Sequence, residues 1–213
     1  AYIWNIGLLP FKAPNEITFL LQDYDRIVEA DVSAGLLCEK NDTGIYKTRK
    51  CNSWLEARGF YVIITERKFD EHTKRINEEP FIALCGFDSA SSRLHLESAG
   101  FDLIVESALG SNLATFDNII LHTFPAASKS PKDIWWDVDE TNHEINRPVL
   151  EILKKKDSDI CGIVPLSIAG KAVSASFVGA CSGALVIAEI LRGLNGGMRY
   201  EKIVAHLRAI DDV

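Results

Sequence analysis

Short apolar runs with strand-like composition recur at wide intervals along the chain, and segments with helical periodicity separate them. This alternation is typical of βαβ units, which place parallel strands in one sheet and cover its faces with helices. The predicted strands are Ile17–Gln22, Phe60–Thr65, Phe81–Phe87, Asp102–Glu106 and Asn118–Phe124, and the predicted helices are Tyr46–Arg58, Ser89–Ser98, Arg147–Lys155 and Ala175–Leu194. The sequence therefore predicts an α/β fold with a mostly parallel sheet flanked by helices.

Acidic residues follow the carboxyl ends of three of these predicted strands. They are Asp23, Asp25, Glu66 and Asp88. Right-handed crossovers between parallel strands leave a ligand crevice at this edge of a sheet. We therefore expect the functional site, and a bound nucleotide, at the edge where these carboxylates lie.

The longest apolar run, Ala172 to Leu191, is about as long as a bilayer-spanning helix. It contains four polar or charged residues and a GxxxG pair, namely Ser174, Ser176, Ser182, Glu189 and Gly179 with Gly183. Small and polar residues within an apolar helix favour close packing inside a protein. We expect a buried helix against the sheet and no membrane span.

The 213-residue chain has an ordinary globular composition with 47% hydrophobic residues, which is enough for one core. We predict a single domain with a nucleotide-binding half at 1–124, a long loop at 125–145 and a C-terminal half at 146–213. The polar stretch from Pro125 to His143 is long for a loop and is typical of a lid, a partner-binding segment or disorder. Its Trp135 and Trp136 are either a partner anchor or a plug on the core, and the plug is favoured.

Charge and cysteine usage exclude several classes of function. A net charge of -7 and a pI near 5.3 provide no basic surface for nucleic acid or anionic lipid. The odd number and irregular spacing of the cysteines favour reduced thiols in the cytoplasm over disulfides, and they form no thiolate zinc site. The five are Cys38, Cys51, Cys85, Cys161 and Cys181, of which Cys181 is expected to be a small buried core residue.

Three short motifs follow one another in a fixed order. Leu21 to Asp31 carries the DxD of Asp23 and Asp25 at a strand end, Gly44 to Lys47 is a GxxK before a helix, and Cys85 to Arg93 places Asp88 before an arginine. Their order, with similar segments through most of the chain, resembles the ThiF, MoeB and ubiquitin-activating-enzyme superfamily. That resemblance implies a Rossmann-like, ThiF-like fold.

The resemblance also implies a role for each motif residue. Asp25 would accept hydrogen bonds from the ATP ribose, Lys47 would contact the phosphates, and Asp88 would lie by the magnesium ion and the triphosphate. Cys161 is the positional candidate for a cysteine that forms a thioester or persulfide. Plainer interpretations stay open: turn-forming aspartates at the DxD, an exposed lysine, an N-cap at Asp88 and an unreactive thiol at Cys161.

The chain departs from the superfamily pattern in three respects. The glycine-rich phosphate loop should precede Ala1, so we expect the chain as given to be truncated at its N-terminus and to bind ATP poorly. The stretch Asp31 to Gly35 has an aspartate where the superfamily has asparagine, and it lacks the arginine and glutamine that follow. The CxxC pairs that hold zinc in MoeB-like members are also absent, so ATP and magnesium, but no zinc, are the expected cofactors.

Three functions remain in competition. The resemblance favours an ATP-dependent adenylyltransferase that activates the C-terminal carboxylate of a ubiquitin-like or sulfur-carrier protein. The altered Asp31–Gly35 stretch favours a catalytically degenerate binding or scaffold subunit on the same fold. A Rossmann protein that binds NAD or FAD is the third possibility, and Lys47 and Asp88 argue against it. A cytoplasmic homodimer is expected by resemblance.

Overall fold

The structure is a computed structural model and describes residues 1–110, 115–136 and 175–207. Its helices are α1 (Tyr2–Gly7), α2 (Glu29–Ala34), α3 (Lys47–Glu56), α4 (Ala90–Arg93), α5 (Pro131–Trp135) and α6 (Ser176–Leu194). Its strands are β1 (Thr18–Gln22), β2 (Tyr61–Thr65), β3 (Ile82–Cys85), β4 (Leu103–Leu109), β5 (Asn118–Phe124) and β6 (Lys202–His206). Short 3-10 turns lie at Pro14–Glu16, Lys40–Asp42 and Glu97–Ala99. The predicted helix Arg147–Lys155 lies outside the described residues.

Each of the two sheets in the described part contains one parallel strand pair. β1 pairs in parallel with β2, with Thr18 opposite Tyr61 and Gln22 opposite Thr65. The second sheet has the order β3-β4-β5-β6, in which β3 and β4 are parallel while β5 and β6 are added antiparallel. The predicted α/β class with parallel strands is confirmed, and the antiparallel strands lie at one side of the second sheet.

Helices cover both faces of the β4–β5 region. Side chains alternate along a strand, so Leu103 and Val105 of β4 face a core shared with Val178 and Val186 of α6. Ile104 faces the other side, in a second core that includes the buried residues Leu96, Phe124 and Trp135. A strand buried on both faces explains the nearly continuous apolar sequence of β4.

Helix α6 packs with different faces against the sheet and against α1. Among the described helices, it is the one that is long and apolar enough to cross a membrane, with a mean hydropathy of 1.6. Its valines pack on β4 and β5, whereas a Cβ added at Gly183 would overlap Nδ2 of Asn5 in α1. The predicted close approach at the GxxxG pair is therefore made to α1 and not to the sheet.

Two elements near the C-terminal half were not predicted from the sequence. β6 follows α6 and pairs with β5, and its alternating exposure is that of an edge strand. Helix α5 lies inside the predicted loop, and Ser130 caps it by accepting from the Asp133 amide. Trp135 ends α5 at 7% exposure whereas Trp136 is 77% exposed, so the predicted plug describes the first tryptophan only.

Candidate functional site

A backbone pairing brings Asp25 and Lys47 together at the carboxyl edge of β1 and β2. The Lys47 amide donates to the Asp25 carbonyl at 2.9 Å, and the Ile27 amide donates to the Ile45 carbonyl at 2.8 Å. Gly44 turns the chain there with a φ of 90°, which a residue without a Cβ adopts freely. Two residues of separate sequence motifs are thus fixed side by side.

Lys47 is the first residue of α3 and forms ion pairs with two carboxylates. Its Nζ lies 3.4 Å from Oδ2 of Asp25 and 3.6 Å from Oδ1 of Asp31. Partial burial by itself lowers the pKa of Lys47, but the charges of Asp31, Asp25 and Asp23 outweigh it, so the net shift is upward. The Lys47 and Asp25 side chains stay 34% and 45% exposed, so a ligand could reach both.

Asp23 directly follows the last residue of β1 and lies two residues before Asp25. Its Oδ1 accepts a hydrogen bond from the Asp25 amide at 2.8 Å, and its own amide continues the strand ladder to the Thr65 carbonyl at 3.3 Å. Desolvation by burial raises the pKa of Asp23, and the Asp25 charge adds to that rise. Asp23 therefore serves the turn that presents Asp25, in agreement with the plainer interpretation of the first aspartate.

Asp31 has two contacts that involve different oxygens. Oδ2 accepts from the Val28 amide at 2.9 Å and so caps the start of α2, while Oδ1 faces Lys47. Asp42 has the same pair of roles. It accepts from the Glu39 amide at 2.7 Å and pairs at 2.8 Å with Lys50, which lies about one turn after Lys47 in α3. The Asp31 contact is the one that brings an extra negative charge to the candidate site.

Glu66, at the carboxyl end of β2, is bound by an arginine of α3. Nε of Arg49 lies 2.7 Å from Oε1 of Glu66, and Nη2 lies 3.1 Å from Oε2. Such a bidentate pair uses both oxygens of the carboxylate. The structure therefore assigns Glu66 to holding α3 against β2, with both carboxylate oxygens engaged by Arg49.

Asp88 lies in the turn after β3 and its side chain is exposed. The interpretation of Asp88 as the N-cap of the next helix is wrong: Ser89 is the cap, and its Oγ accepts from the Ser92 amide. The cap falls one residue later because α4 begins at Ala90. Within the described residues, no hydrogen bond or ion pair joins Asp88 to Asp25 or Lys47.

A buried cluster of ionisable side chains lies beside this turn, and it was not predicted from the sequence. Glu106 of β4 is fully buried, with Oε1 2.7 Å from Nε of Arg93 and Oε2 3.2 Å from Nδ1 of His122. The Arg93 contact lacks the alignment of a hydrogen bond, so it is an ion pair between close atoms. A glutamate within the apolar strand LIVESAL and a histidine within IILHTF were the available signals.

The cysteines divide by exposure. Cys161 lies outside the described residues. Cys181 is exposed on α6, so the expectation that it is a buried core residue is wrong; it lies on the side of the helix away from the sheet core. Burial raises the pKa of the Cys85 thiol and raises that of Cys51 to about 11, so neither is an activated thiol at neutral pH.

The side chains present fit ATP and a magnesium ion. Asp25 offers carboxylate oxygens to a pair of hydroxyl donors, and the Lys47 ammonium stands at the N-terminus of a ten-residue helix, where anions are favoured. Magnesium is usually held by one or two protein carboxylates together with substrate phosphates. The exposed Asp88 can supply one such carboxylate. In the described ranges no three His, Cys, Asp or Glu side chains cluster as a protein-only metal site.

Comparison with known proteins gives one family. The family model of the BilD C-terminal domain matches residues 1–197. The chain is 39% identical over 216 residues to the bacterial E1-like protein BilD of Collimonas sp. (strain OK412), an alignment that covers 100% of this chain and 46% of that relative. The chain thus spans about half the length of the relative that it matches.

Solved structures with the same fold have low sequence identity. E. coli MccB crystallised with ATP has a TM-score of 0.58 at 13% identity, covering 90% of this chain and 54% of that one. E. coli MccB with AMPCPP and MccA gives 0.53 at 13% identity, covering 91% and 55%. PaaA gives 0.51 at 14% identity, covering 90% and 61%. This likeness confirms the predicted ThiF-like fold, and the family that the chain matches is that of the BilD C-terminal domain.

Proposed function

Because the chain belongs to the BilD C-terminal domain family, we propose that it contributes the nucleotide-binding edge of an E1-like adenylating protein. The proposed reaction is ATP-dependent activation of the C-terminal carboxylate of a ubiquitin-like or sulfur-carrier protein. One observation carries the proposal: Lys47 and Asp25, which lie 22 positions apart in the sequence, meet at 3.4 Å on the carboxyl edge of parallel strands. Ligands bind at this edge in open α/β sheets.

The chemistry that these residues support is adenylyl transfer. A carboxylate oxygen of the carrier protein attacks the α-phosphorus of ATP, a new O–P bond forms, and the bond to pyrophosphate breaks with its electron pair on the leaving pyrophosphate. Transfer of this kind depends on positioning and on neutralising phosphate charge. Asp25 would orient the ribose, Lys47 would neutralise phosphate oxygens, and a magnesium ion held near Asp88 would supply further positive charge.

The partner class is inferred from chemistry and from the structural neighbours. E. coli MccB has been crystallised with MccA in addition to a nucleotide, so a neighbour of this fold accommodates both. We propose that this chain, as part of its whole protein, likewise accepts a polypeptide carboxylate beside the nucleotide.

A degenerate scaffold is the second candidate, and Asp31 is the observation that favours it. Its carboxylate lies 3.6 Å from the Lys47 ammonium and neutralises part of the charge that phosphates would need. In a scaffold this extra ion pair would stabilise the fold in place of a nucleotide. In an active enzyme it would weaken ATP binding without preventing it.

Calorimetric titration of Mg·ATP into the full-length natural protein separates the two candidates. NADH serves as the nucleotide control, and Lys47→Met is compared with Lys50→Met. Both lysines lie on α3 and both are ion-paired, but Lys50 pairs with Asp42. Adenylation predicts ATP binding that is lost in Lys47→Met and kept in Lys50→Met.

Three other results would contradict the proposal. Binding of NADH in preference to ATP would favour the dinucleotide-binding alternative. Absence of binding by either nucleotide would favour the scaffold. Equal ATP affinity in the two lysine variants would place the nucleotide elsewhere.

A further inference from the structure

The buried cluster of Arg93, Glu106 and His122 lies directly beneath the turn that carries Asp88. Cys85, the last residue of β3, is in register with Glu106 of β4, and Glu106 is in register with His122 of β5. Cys85, Glu106 and His122 therefore form a row across the sheet at the level where β3 ends. The turn from Gly86 begins at that row.

Arg93 connects this row to the turn. Its Nη2 donates to the carbonyl of Phe87, the residue before Asp88, while its Nε lies 2.7 Å from Glu106. The guanidinium also lies 5.7 Å from the Trp135 ring. A planar guanidinium with several donors can hold two acceptors in one fixed geometry.

Asp88 is thus the exposed residue between two fixed neighbours. On one side the Phe87 carbonyl is bound by Arg93, and the Phe87 ring packs on Phe69 with centroids 5.0 Å apart. On the other side Ser89 caps α4. Of these three consecutive residues, Asp88 alone is classed as exposed.

We propose that Glu106 and Arg93 are positioning residues that fix the backbone of the Asp88 turn so that its carboxylate is held ready for the magnesium ion of the nucleotide. The magnesium role rests on the proposed function. The physical reason is that a buried ion pair adds little to stability compared with apolar packing, whereas it can specify one geometry. Ligands held by ordered supporting residues bind metal more tightly than ligands on a loose turn.

A second buried glutamate provides a matched control. Glu189 of α6 is 1% exposed and pairs with Arg192 at 2.5 Å, and it accepts from the Tyr200 amide at 2.8 Å. Glu106→Gln and Glu189→Gln each remove one buried charge beside an arginine. Both are expected to lower the melting temperature, so a merely structural role would affect the two variants alike.

The experiment measures two quantities in the full-length protein and in both variants, at a temperature where all three are folded. The first is amide hydrogen exchange of residues 86–92, and the second is the Mg²⁺ concentration that gives half-maximal ATP binding. We expect Glu106→Gln to exchange faster in 86–92 and to need about tenfold more Mg²⁺. Glu189→Gln should match the natural protein in both quantities.

Arg93→Lys provides an independent variant because it keeps the charge but loses the fork that reaches Glu106 and Phe87 together. It should behave like Glu106→Gln. Unchanged exchange and unchanged Mg²⁺ dependence in both of these variants would overturn the positioning role while the proposed function stands. If the natural protein binds no Mg·ATP, the proposed function fails, and equal exchange of 86–92 in the two glutamate variants would then overturn the positioning role as well.

Discussion

Replacing Asp31 with asparagine should tighten ATP binding. The carboxylate has separable roles, because Oδ2 accepts from the Val28 amide at 2.9 Å while Oδ1 lies 3.6 Å from Nζ of Lys47. An asparagine side-chain oxygen at this third position of α2 can still accept from the amide of the N-cap residue Val28. The substitution therefore removes the charge beside Lys47 with little effect on α2.

The size of the effect follows from the geometry and the exposure of the pair. Unit charges about 4 Å apart interact by about 1 kcal/mol in bulk water and about 4 kcal/mol near a protein surface. The Lys47 and Asp31 side chains are 34% and 24% exposed, and measured exposed pairs are worth about 0.2–1 kcal/mol. An estimate of about 1 kcal/mol corresponds to roughly fivefold tighter binding of a phosphate that competes for Lys47.

The assay is calorimetric titration of Mg·ATP, with Asp42→Asn as the matched control. Asp42 accepts from the Glu39 amide and pairs with Lys50. Asp42→Asn therefore also removes one carboxylate charge from a lysine of α3, but from a lysine that does not contact Asp25. We expect Asp31→Asn to bind ATP about fivefold more tightly and Asp42→Asn to bind like the natural protein. Unchanged or weaker binding in Asp31→Asn would refute the argument that Asp31 competes with phosphate for Lys47.

Further predictions concern pH, thiols and packing. Because the pKa of Asp23 is raised in the folded state, its ionisation costs folding free energy at pH values above that pKa, and the cost is absent below the ordinary pKa of 3.8. Asp23→Asn should therefore raise Tm at pH 7 but not at pH 3, and equal gains at the two pH values would contradict this. In a Cys161→Ser background, exposed Cys181 should react with a disulfide reagent before buried Cys85, and the reverse order would be contrary evidence. Trp135→Ala should lower the unfolding free energy by about 3–5 kcal/mol and Trp136→Ala by less than about 0.5 kcal/mol in urea titrations; similar losses would refute the burial argument.

Periodicity predicted the central strands because their apolar runs are long and bounded by turns. β5 was predicted with its observed bounds, Asn118–Phe124, and the helix at 175–194 differs by one residue from α6. Strand β6 was missed because three of its five side chains are exposed and so short a segment carries little apolar signal. The predicted helix Ser89–Ser98 is split into α4 and a 3-10 turn at Glu97–Ala99.

The sequence indicated some residues of the candidate site but not their arrangement, and their binding roles stay predictions. The motifs indicated Asp25 and Lys47 individually, and the structure brings them together through backbone pairing that no local pattern encodes. Glu106 and His122 went unpredicted because they lie 16 positions apart and meet only through strand register. Their significance depends on which buried atoms face each other, and that is a tertiary property.

The proposed nucleotide site is tested most directly by an experimental structure of the full-length protein with Mg²⁺ and a non-hydrolysable ATP analogue. We predict that the ribose hydroxyls lie within hydrogen-bond distance, about 3 Å, of the Asp25 carboxylate, with the Lys47 ammonium on phosphate oxygens. A nucleotide bound away from the carboxyl edge of β1 and β2, with the Asp25–Lys47 pair unchanged at 3.4 Å, would contradict it.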